Sequence, residues 1–176
     1  MKLPLSKTFA RQSANDAVVP VSPAEVAPHF QLGRQGEQLA VEHLKRAGYL
    51  LVAGNVKLPV GRNTRGVTVN AEIDIVAYDG PTLCFVEVKT RASDEFAPPQ
   101  VNVDLRKRRQ VARAARAYRR MLGLMGASYR YDVITIVLPP EQSGELPGSG
   151  PRIELLKSFW TDAALRKRAW SDARWD

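Results

Sequence analysis

The stretch Ala71–Arg91, AEIDIVAYDGPTLCFVEVKTR, constrains the fold more than any other part of this chain. It reads as two strands, Glu72–Ala77 and Thr82–Lys89, around a tight turn with Asp79-Gly80 as its loop. Glycine tolerates the positive φ that a hairpin turn demands. Both flanks are rich in the β-branched and aromatic residues that suit a pleated surface. Strand side chains alternate between two faces. Strict alternation puts Glu72 and Asp74 on one face of the first strand and Ile73 and Ile75 on the other. On the second strand Phe85, Glu87 and Lys89 share a face, opposite Cys84, Val86 and Val88. With Asp79-Gly80 as the loop, Tyr78 faces Pro81, Asp74 faces Phe85 and Glu72 faces Glu87. Asp74 and Glu87 are then diagonal neighbours roughly 7–8 Å apart. A slip of one residue on each strand opposes Asp74 and Glu87 directly and keeps the same faces.

In either register, three carboxylates and a lysine converge on one side of a hairpin whose other side is apolar. Carboxylates at contact distance repel and raise one another's pKa, and a divalent cation removes the conflict. Ligands that are all oxygen suit Mg²⁺ or Mn²⁺ rather than zinc. Lys89, two residues from Glu87, points at the same site. There it is suited to orienting or deprotonating a water, or to stabilising charge on a phosphate.

Asp74 followed by Glu87-Val88-Lys89 resembles the PD-(D/E)xK nuclease signature. A longer ordered set is more specific: Gly33-Arg34-Gln35-Gly36-Glu37, Gly48-Tyr49, Asn55, Glu72-Ile73-Asp74, Phe85 to Arg91, Val103 with Lys107, and Arg130-Tyr131-Asp132-Val133. In that order these residues resemble the YraN-like family of small bacterial proteins over about residues 30 to 159. That family is grouped with restriction-endonuclease-like folds and is similar to archaeal Holliday-junction resolvases. Two departures stand out: Ala71 replaces the Gly usual before Glu-Ile-Asp, and the Val56–Asn70 stretch is longer than usual. The resemblance implies Asp74 and Glu87 as metal ligands, with the Val88 carbonyl and either Glu37 or Glu72 completing the set. It also implies a symmetric homodimer and draws Lys107 toward the site.

Net charge narrows the partner. The chain carries +8, and the segment Asp104–Arg120 alone carries +7, with eight Lys/Arg against one Asp. One segment therefore holds the signal for a polyanion. That segment reads as a helix from about Asp104 to Leu122. Val111, Ala115, Tyr118 and Leu122 form an apolar stripe. Arg106, Arg109, Arg113, Arg116 and Arg120 form a second stripe about 170° away. Ordinary solvated faces mix signs, whereas these five arginines have no acid among them. Together with Arg91 and Lys107 they are the expected nucleic-acid-binding set.

The remaining chain sorts into one domain and its extensions. Residues 1–28 mix apolar, Ser and Pro residues without a period and read as a poorly ordered extension. The domain spans 29–160, and 161–176 is a C-terminal extension suited to a short helix. The first helix runs from about Gly33 to Ala47 and stops at Gly48. Glu37 falls on its apolar stripe with Ala40, Val41, Leu44 and Ala47. It is either a surface carboxylate at the helix start or, as in resolvase-like nucleases, part of the metal site. Tyr49–Val56 reads as a strand and Lys57–Asn70 as a long turn or hairpin excursion. Tyr129–Leu138 reads as a strand with an unusual Asp132, paired either with Arg130 or with another basic group such as Lys89. Pro139–Pro151 is a loop, and Arg152–Phe159 is suited to an edge strand.

No apolar run is long enough to span a bilayer, and Cys84, the lone cysteine, lies on an apolar strand face. These features point to a cytoplasmic location, no membrane association, and no disulfide or cysteine zinc cluster. The order α-β-β-β-α-β matches a restriction-endonuclease-like three-layer α/β/α core with a mixed sheet. The expected function is metal-dependent DNA endonucleolytic hydrolysis, selective for branched DNA, with Mg²⁺ or Mn²⁺ as cofactor. The proposed catalytic residues are Asp74, Glu87, Lys89 and Glu37. The alternatives are a nucleic-acid-binding module on a nuclease fold, and an interaction protein that offers the arginine helix to an acidic partner.

Overall fold

The computed structural model describes residues 28–92, 103–138 and 150–171. Expectations for the N-terminal extension before residue 28 and for most of the 139–151 loop lie outside those residues. The element order is α1 (Pro28–Arg46), β1 (Leu50–Arg62), β2 (Thr68–Asp79), β3 (Thr82–Arg91), α2 (Leu105–Met121), β4 (Tyr129–Val137), β5 (Arg152–Trp160) and α3 (Asp162–Ser171). The five strands lie in sequence order in one mixed sheet. Only β3 and β4 are parallel, and α2 is the crossover between them.

Two apolar clusters pack on opposite sides of this sheet. On one side Ala40 and Leu44 of α1 cover Ile75, Ala77, Cys84, Val86, Ile134 and Ile136. On the other, Val111, Ala112, Ala115 and Tyr118 of α2 cover Ile73, Val76, Leu83, Phe85 and Val133. The α2 side is closed by aromatic rings, with Phe85 edge-on to Tyr118 and Tyr131 stacked on Trp160 at 5.0 Å. Leu122, expected in the α2 stripe, lies beyond the helix end and is half exposed. The α2 helix starts where Asp104 accepts the backbone N–H of Lys107 at 2.7 Å, an N-cap that satisfies one of the free donors of the first turn.

The β2–β3 hairpin departs from the first of its two expected registers. Asp79 pairs with Thr82 and Ile75 with Val86, so the loop is Gly80-Pro81 rather than Asp79-Gly80. Gly80 takes the positive φ, at 55°. The reason lies in Pro81. With Asp79-Gly80 as the loop, Pro81 would have to donate a backbone hydrogen bond to Tyr78, and proline has no N–H. Moving Pro81 into the turn removes that conflict and sets Asp74 level with Glu87.

Of the two readings of the 57–70 stretch, a long turn or a hairpin excursion, the structure has the hairpin. β1 runs on to Arg62 and pairs with β2 down to Thr68, leaving only a short turn between them. The β2–β3 ladder runs only from Asp79 to Ile75, so β1 and the first half of β2 continue past it as a two-stranded ribbon. Leu58 and Ala71 of that ribbon join the α2-side cluster. The expected face-sharing of Ile73 and Ile75 also fails, since Ile73 packs on the α2 side and Ile75 on the α1 side. The switch falls where Asn55 of β1, between the pairs Gly54↔Ile75 and Val56↔Ile73, takes a left-handed φ of 53°. Asparagine tolerates that conformation better than most residues. Both strands change faces together around Asp74.

Candidate active site

Asp74 and Glu87 stand at the fork where β3 leaves β2 and the ribbon continues. One carboxylate oxygen of Asp74, Oδ2, accepts the backbone N–H of Val88 at 2.8 Å. This side-chain bond takes over where the backbone ladder ends. Glu87 lies on the α2 face with Phe85, as alternation requires, and is 1% exposed. Lys89, on the same face, places Nζ 2.9 Å from Glu87 Oε1. The register thus brings together the three residues of the short motif.

A fourth residue joins them from a distant part of the chain. Lys107, in the first turn of α2, places Nζ 3.0 Å from Glu87 Oε2 and 3.7 Å from Asp74 Oδ1. The ammonium is the charge set against Glu87 Oε2, an otherwise buried oxygen. Lys107 therefore contacts the carboxylates, toward which the family resemblance drew it, and stands apart from the exposed arginine stripe. It lies on the flank of α2 that meets the sheet.

Two expected contributors stand elsewhere. Glu72 pairs with Lys57, its cross-strand neighbour, at 3.7 Å, so the expected convergence of three carboxylates is not formed. Glu37 comes from α1 on the opposite face of the sheet, where its Oε2 accepts from Asn55 Nδ2 at 2.9 Å. Its contact with the site runs through that left-handed residue across from Asp74. Among the described residues, no group of three or more His, Cys, Asp or Glu side chains is close enough to hold a metal ion. The donor set still fits a hard cation. Mg²⁺ keeps several waters and is commonly held by one or two carboxylates plus substrate phosphate. Glu87 Oε2, buried and facing a single mobile ammonium at 3.0 Å, is the kind of oxygen such an ion satisfies.

Charges at the carboxylate pair favour a neutral Asp74. Burial first, and then the Glu87 charge, push the Asp74 carboxyl up to about 6. Burial works to lower the Lys107 ammonium, but the Asp74 and Glu87 charges outweigh it and hold it above its ordinary value. The stability consequence follows from proton counting. Between the ordinary value of 3.8 and about 6, the folded state binds a proton at Asp74 that the unfolded chain has released. Stability is therefore fully present below pH 4 and falls as pH rises toward 6. The loss is on the order of 3 kcal/mol. Asp74→Asn keeps an acceptor for Val88 and removes this penalty. Denaturant unfolding in EDTA is expected to find it more stable than the parent at pH 7, with the gap closing at pH 4.

The arginine face of α2 forms as expected. Arg106, Arg109, Arg113, Arg116 and Arg120 are all exposed. The tertiary fold supplies one acid that the helix sequence lacks, with Asp162 of α3 3.8 Å from Arg116. Arg109, Arg113, Arg116 and Arg166 line a cleft of about 280 Å³ between α2 and α3. The other two arginines of α2 are structural. Arg108 donates to the Val103 carbonyl at 2.7 Å. Arg119 is buried, donates to the Met125 carbonyl at 2.7 Å and lies 3.6 Å over the Tyr129 ring. Arg91 ends β3 and is half-buried.

On the α1 side of the sheet, Asp132 is fully buried and accepts from Arg130 Nε at 3.0 Å and from the Ser158 backbone N–H at 2.8 Å. Of the two partners left open by sequence, Arg130 is the one observed. Cys84 is buried, and burial above all pushes its thiol up to about 12, which leaves it inert at neutral pH.

Comparison with known proteins places the chain. Residues 36–136 match the model of a family described as "Uncharacterised protein family UPF0102". This chain belongs to the UPF0102 family. The YraN-like resemblance read from the motifs is to this same family. A UPF0102 protein of Desulfosudis oleivorans is 42% identical over 106 residues, covering 60% of this chain and 78% of the relative. One from Chlorobium limicola is 44% identical over 110 residues, covering 62% and 77%. A solved structure described as "Crystal structure of SSO0001" aligns with a TM-score of 0.35 and 15% identity, covering 82% of this chain and 59% of that one. The UPF0102 match contains Glu37, Asp74, Glu87, Lys89, Lys107 and the α2 arginines, whereas α3 lies beyond it. Among the described residues, no helix is long and apolar enough to cross a membrane.

Proposed function

We propose that this UPF0102 chain is a Mg²⁺- or Mn²⁺-dependent endonuclease of the restriction-endonuclease-like three-layer class, hydrolysing phosphodiester bonds in DNA and selective for branched junctions. One observation carries the reading: Asp74 and Glu87 stand level on neighbouring strands, with Lys89 on Glu87. A sheet built only for stability gains nothing from a buried Glu beside a second carboxylate. Asp74 and Glu87, with the Val88 carbonyl, would hold the cation. When bound, it supplies Lewis-acid charge neutralisation at the phosphodiester. Lys89 positions the attacking water and stabilises negative charge at the phosphate. Glu37 acts through Asn55 in holding the strand opposite Asp74. Arg91 and the exposed arginines of α2 hold the DNA backbone. A symmetric dimer suits a junction with paired strands, and sizing with and without junction DNA tests it.

The experiment is cleavage of labelled duplex, single-stranded, flap and four-way-junction DNA in Mg²⁺, Mn²⁺ or EDTA, with Asp74→Ala and Lys89→Ala alongside. Cutting that needs metal and is lost in both variants supports the reading. A second reading, a DNA-binding module without turnover, is favoured by Lys107 closing the carboxylate pair and by the lack of a third carboxylate there. Binding without cutting in any metal would select it.

Both readings share the arginine face, and salt dependence measures it. Each phosphate contact contributes about 0.9 to the slope of log K against log salt. Arg109→Ala with Arg113→Ala is expected to lower that slope by about 2. An unchanged slope would remove this face from the interface and leave an acidic protein as its partner.

A further inference from the structure

We infer that Lys107 is a stand-in for the divalent cation: its ammonium holds the two facing oxygens of Asp74 and Glu87 in the metal-free protein and withdraws when a cation bridges them. This rests on the metal-dependent reading above. The four carboxylate oxygens divide into two kinds. Asp74 Oδ2 is engaged by the Val88 backbone N–H at 2.8 Å, and Glu87 Oε1 by Lys89 Nζ at 2.9 Å. Neither donor needs to move for the other two oxygens to take a metal. Asp74 Oδ1 and Glu87 Oε2 face one group, Lys107 Nζ, at 3.7 and 3.0 Å. Those are the oxygens left for a cation, and the Lys107 ammonium is the charge that faces the buried Glu87 Oε2.

The backbone and side chain of Lys107 differ in freedom. Its N–H is pinned by the Asp104 cap at 2.7 Å. Its side chain is 30% exposed, and a lysine stem has four rotatable bonds that let the ammonium swing away. Arg106, its neighbour in α2, lies on the exposed face, so a phosphate bound along that face offers the released ammonium a new partner. Metal and DNA should therefore bind cooperatively. DNA draws Lys107 off the carboxylates and supplies phosphate oxygens to the ion. Without DNA, the closed pair weakens metal binding.

Calorimetric titration of DNA-free protein with Mn²⁺ tests this. Lys107→Met is expected to bind Mn²⁺ at least tenfold more tightly than the parent, and Lys89→Met to change affinity less than threefold. Asp74→Asn provides the control for loss of the site. If parent and Lys107→Met bind equally while Asp74→Asn does not bind, the stand-in role is wrong and the metal site stands. An equal gain in Lys89→Met would reduce the effect to general charge removal and also overturn the role. Failure of every protein to bind at millimolar Mn²⁺ overturns the metal reading itself, and this inference with it. Should Lys107→Met not fold, Lys107→Gln retains a donor to Glu87. In the parent protein, ¹⁵N-lysine NMR should show the Lys107 Nζ signal moving on Mg²⁺ saturation while that of Lys157, paired with Asp79 at 2.8 Å, stays in place. A stationary Lys107 signal at saturation would overturn the inference.

Discussion

Lys89→Ala is expected to slow metal-dependent DNA cleavage by roughly 10²–10³-fold, with DNA binding little changed. That range is what one general acid–base group or one preorganised electrostatic donor contributes. The lysine is placed to serve in either way. Its ammonium is 2.9 Å from Glu87 Oε1 and its side chain is 33% exposed, so it touches both the carboxylate and solvent. Lys89→Arg separates the two roles. Arginine keeps the positive charge but does not give up a proton at any working pH. Activity largely retained in Lys89→Arg would assign charge stabilisation, and activity lost as fully as in Lys89→Ala would assign proton transfer. Single-turnover cleavage rates, measured beside filter-binding affinities, make the distinction. A Lys89→Ala protein that cuts at the parent rate would remove Lys89 from the chemistry and leave it as a partner of Glu87.

The second large effect concerns how α1 seats on the sheet. Gly36 packs directly on Thr90 of β3. A Cβ at Gly36 would lie 1.7 Å from Thr90 Oγ1, and 2.7 and 2.8 Å from its Cβ and Cγ2. Rotating the threonine does not clear three such contacts, so α1 would have to lift. Helix propensity alone favours Ala over Gly by about 0.8–1 kcal/mol. Gly36→Ala is nevertheless expected to destabilise the protein by roughly 2–3 kcal/mol through overpacking. The sign of the change, read from denaturant midpoints, decides between these effects. Thr90→Ala should recover part of the loss, because it removes two of the three obstructing atoms. Activity should fall with stability, since Glu37, the next residue, holds Asn55 across from Asp74. A Gly36→Ala protein of raised stability would mean that α1 does not seat as closely as described.

Patterns of the local chain carried much of this protein. The polarity of β3, with Glu87 and Lys89 on one face and Val86 and Val88 on the other, follows from period two alone. So does the segregation of α2 into an apolar side and five exposed arginines, which follows from its 100° step. Helix ends were marked by Gly48 and Asp104, and the hairpin by Gly80. These features depend only on residues a few positions apart, so sequence spacing is sufficient to find them.

The tertiary structure decided what depends on distant partners. Of the two hairpin registers that sequence left open, the structure has the one that sets Asp74 level with Glu87, and Pro81, with no N–H to give, is the local reason. The switch of faces between Ile73 and Ile75 depended on Asn55 in another strand taking a left-handed conformation. Glu72 was diverted by Lys57 across the ladder, and Arg116 gained an acid from α3. The family resemblance drew Lys107 toward the site, and docking of the crossover helix with its first turn over the β2–β3 fork set it on the carboxylates. Periodicity says which way a side chain leaves its own strand or helix. Docking of whole elements sets what it meets there, and in this protein that made a basic-helix lysine part of the carboxylate pair.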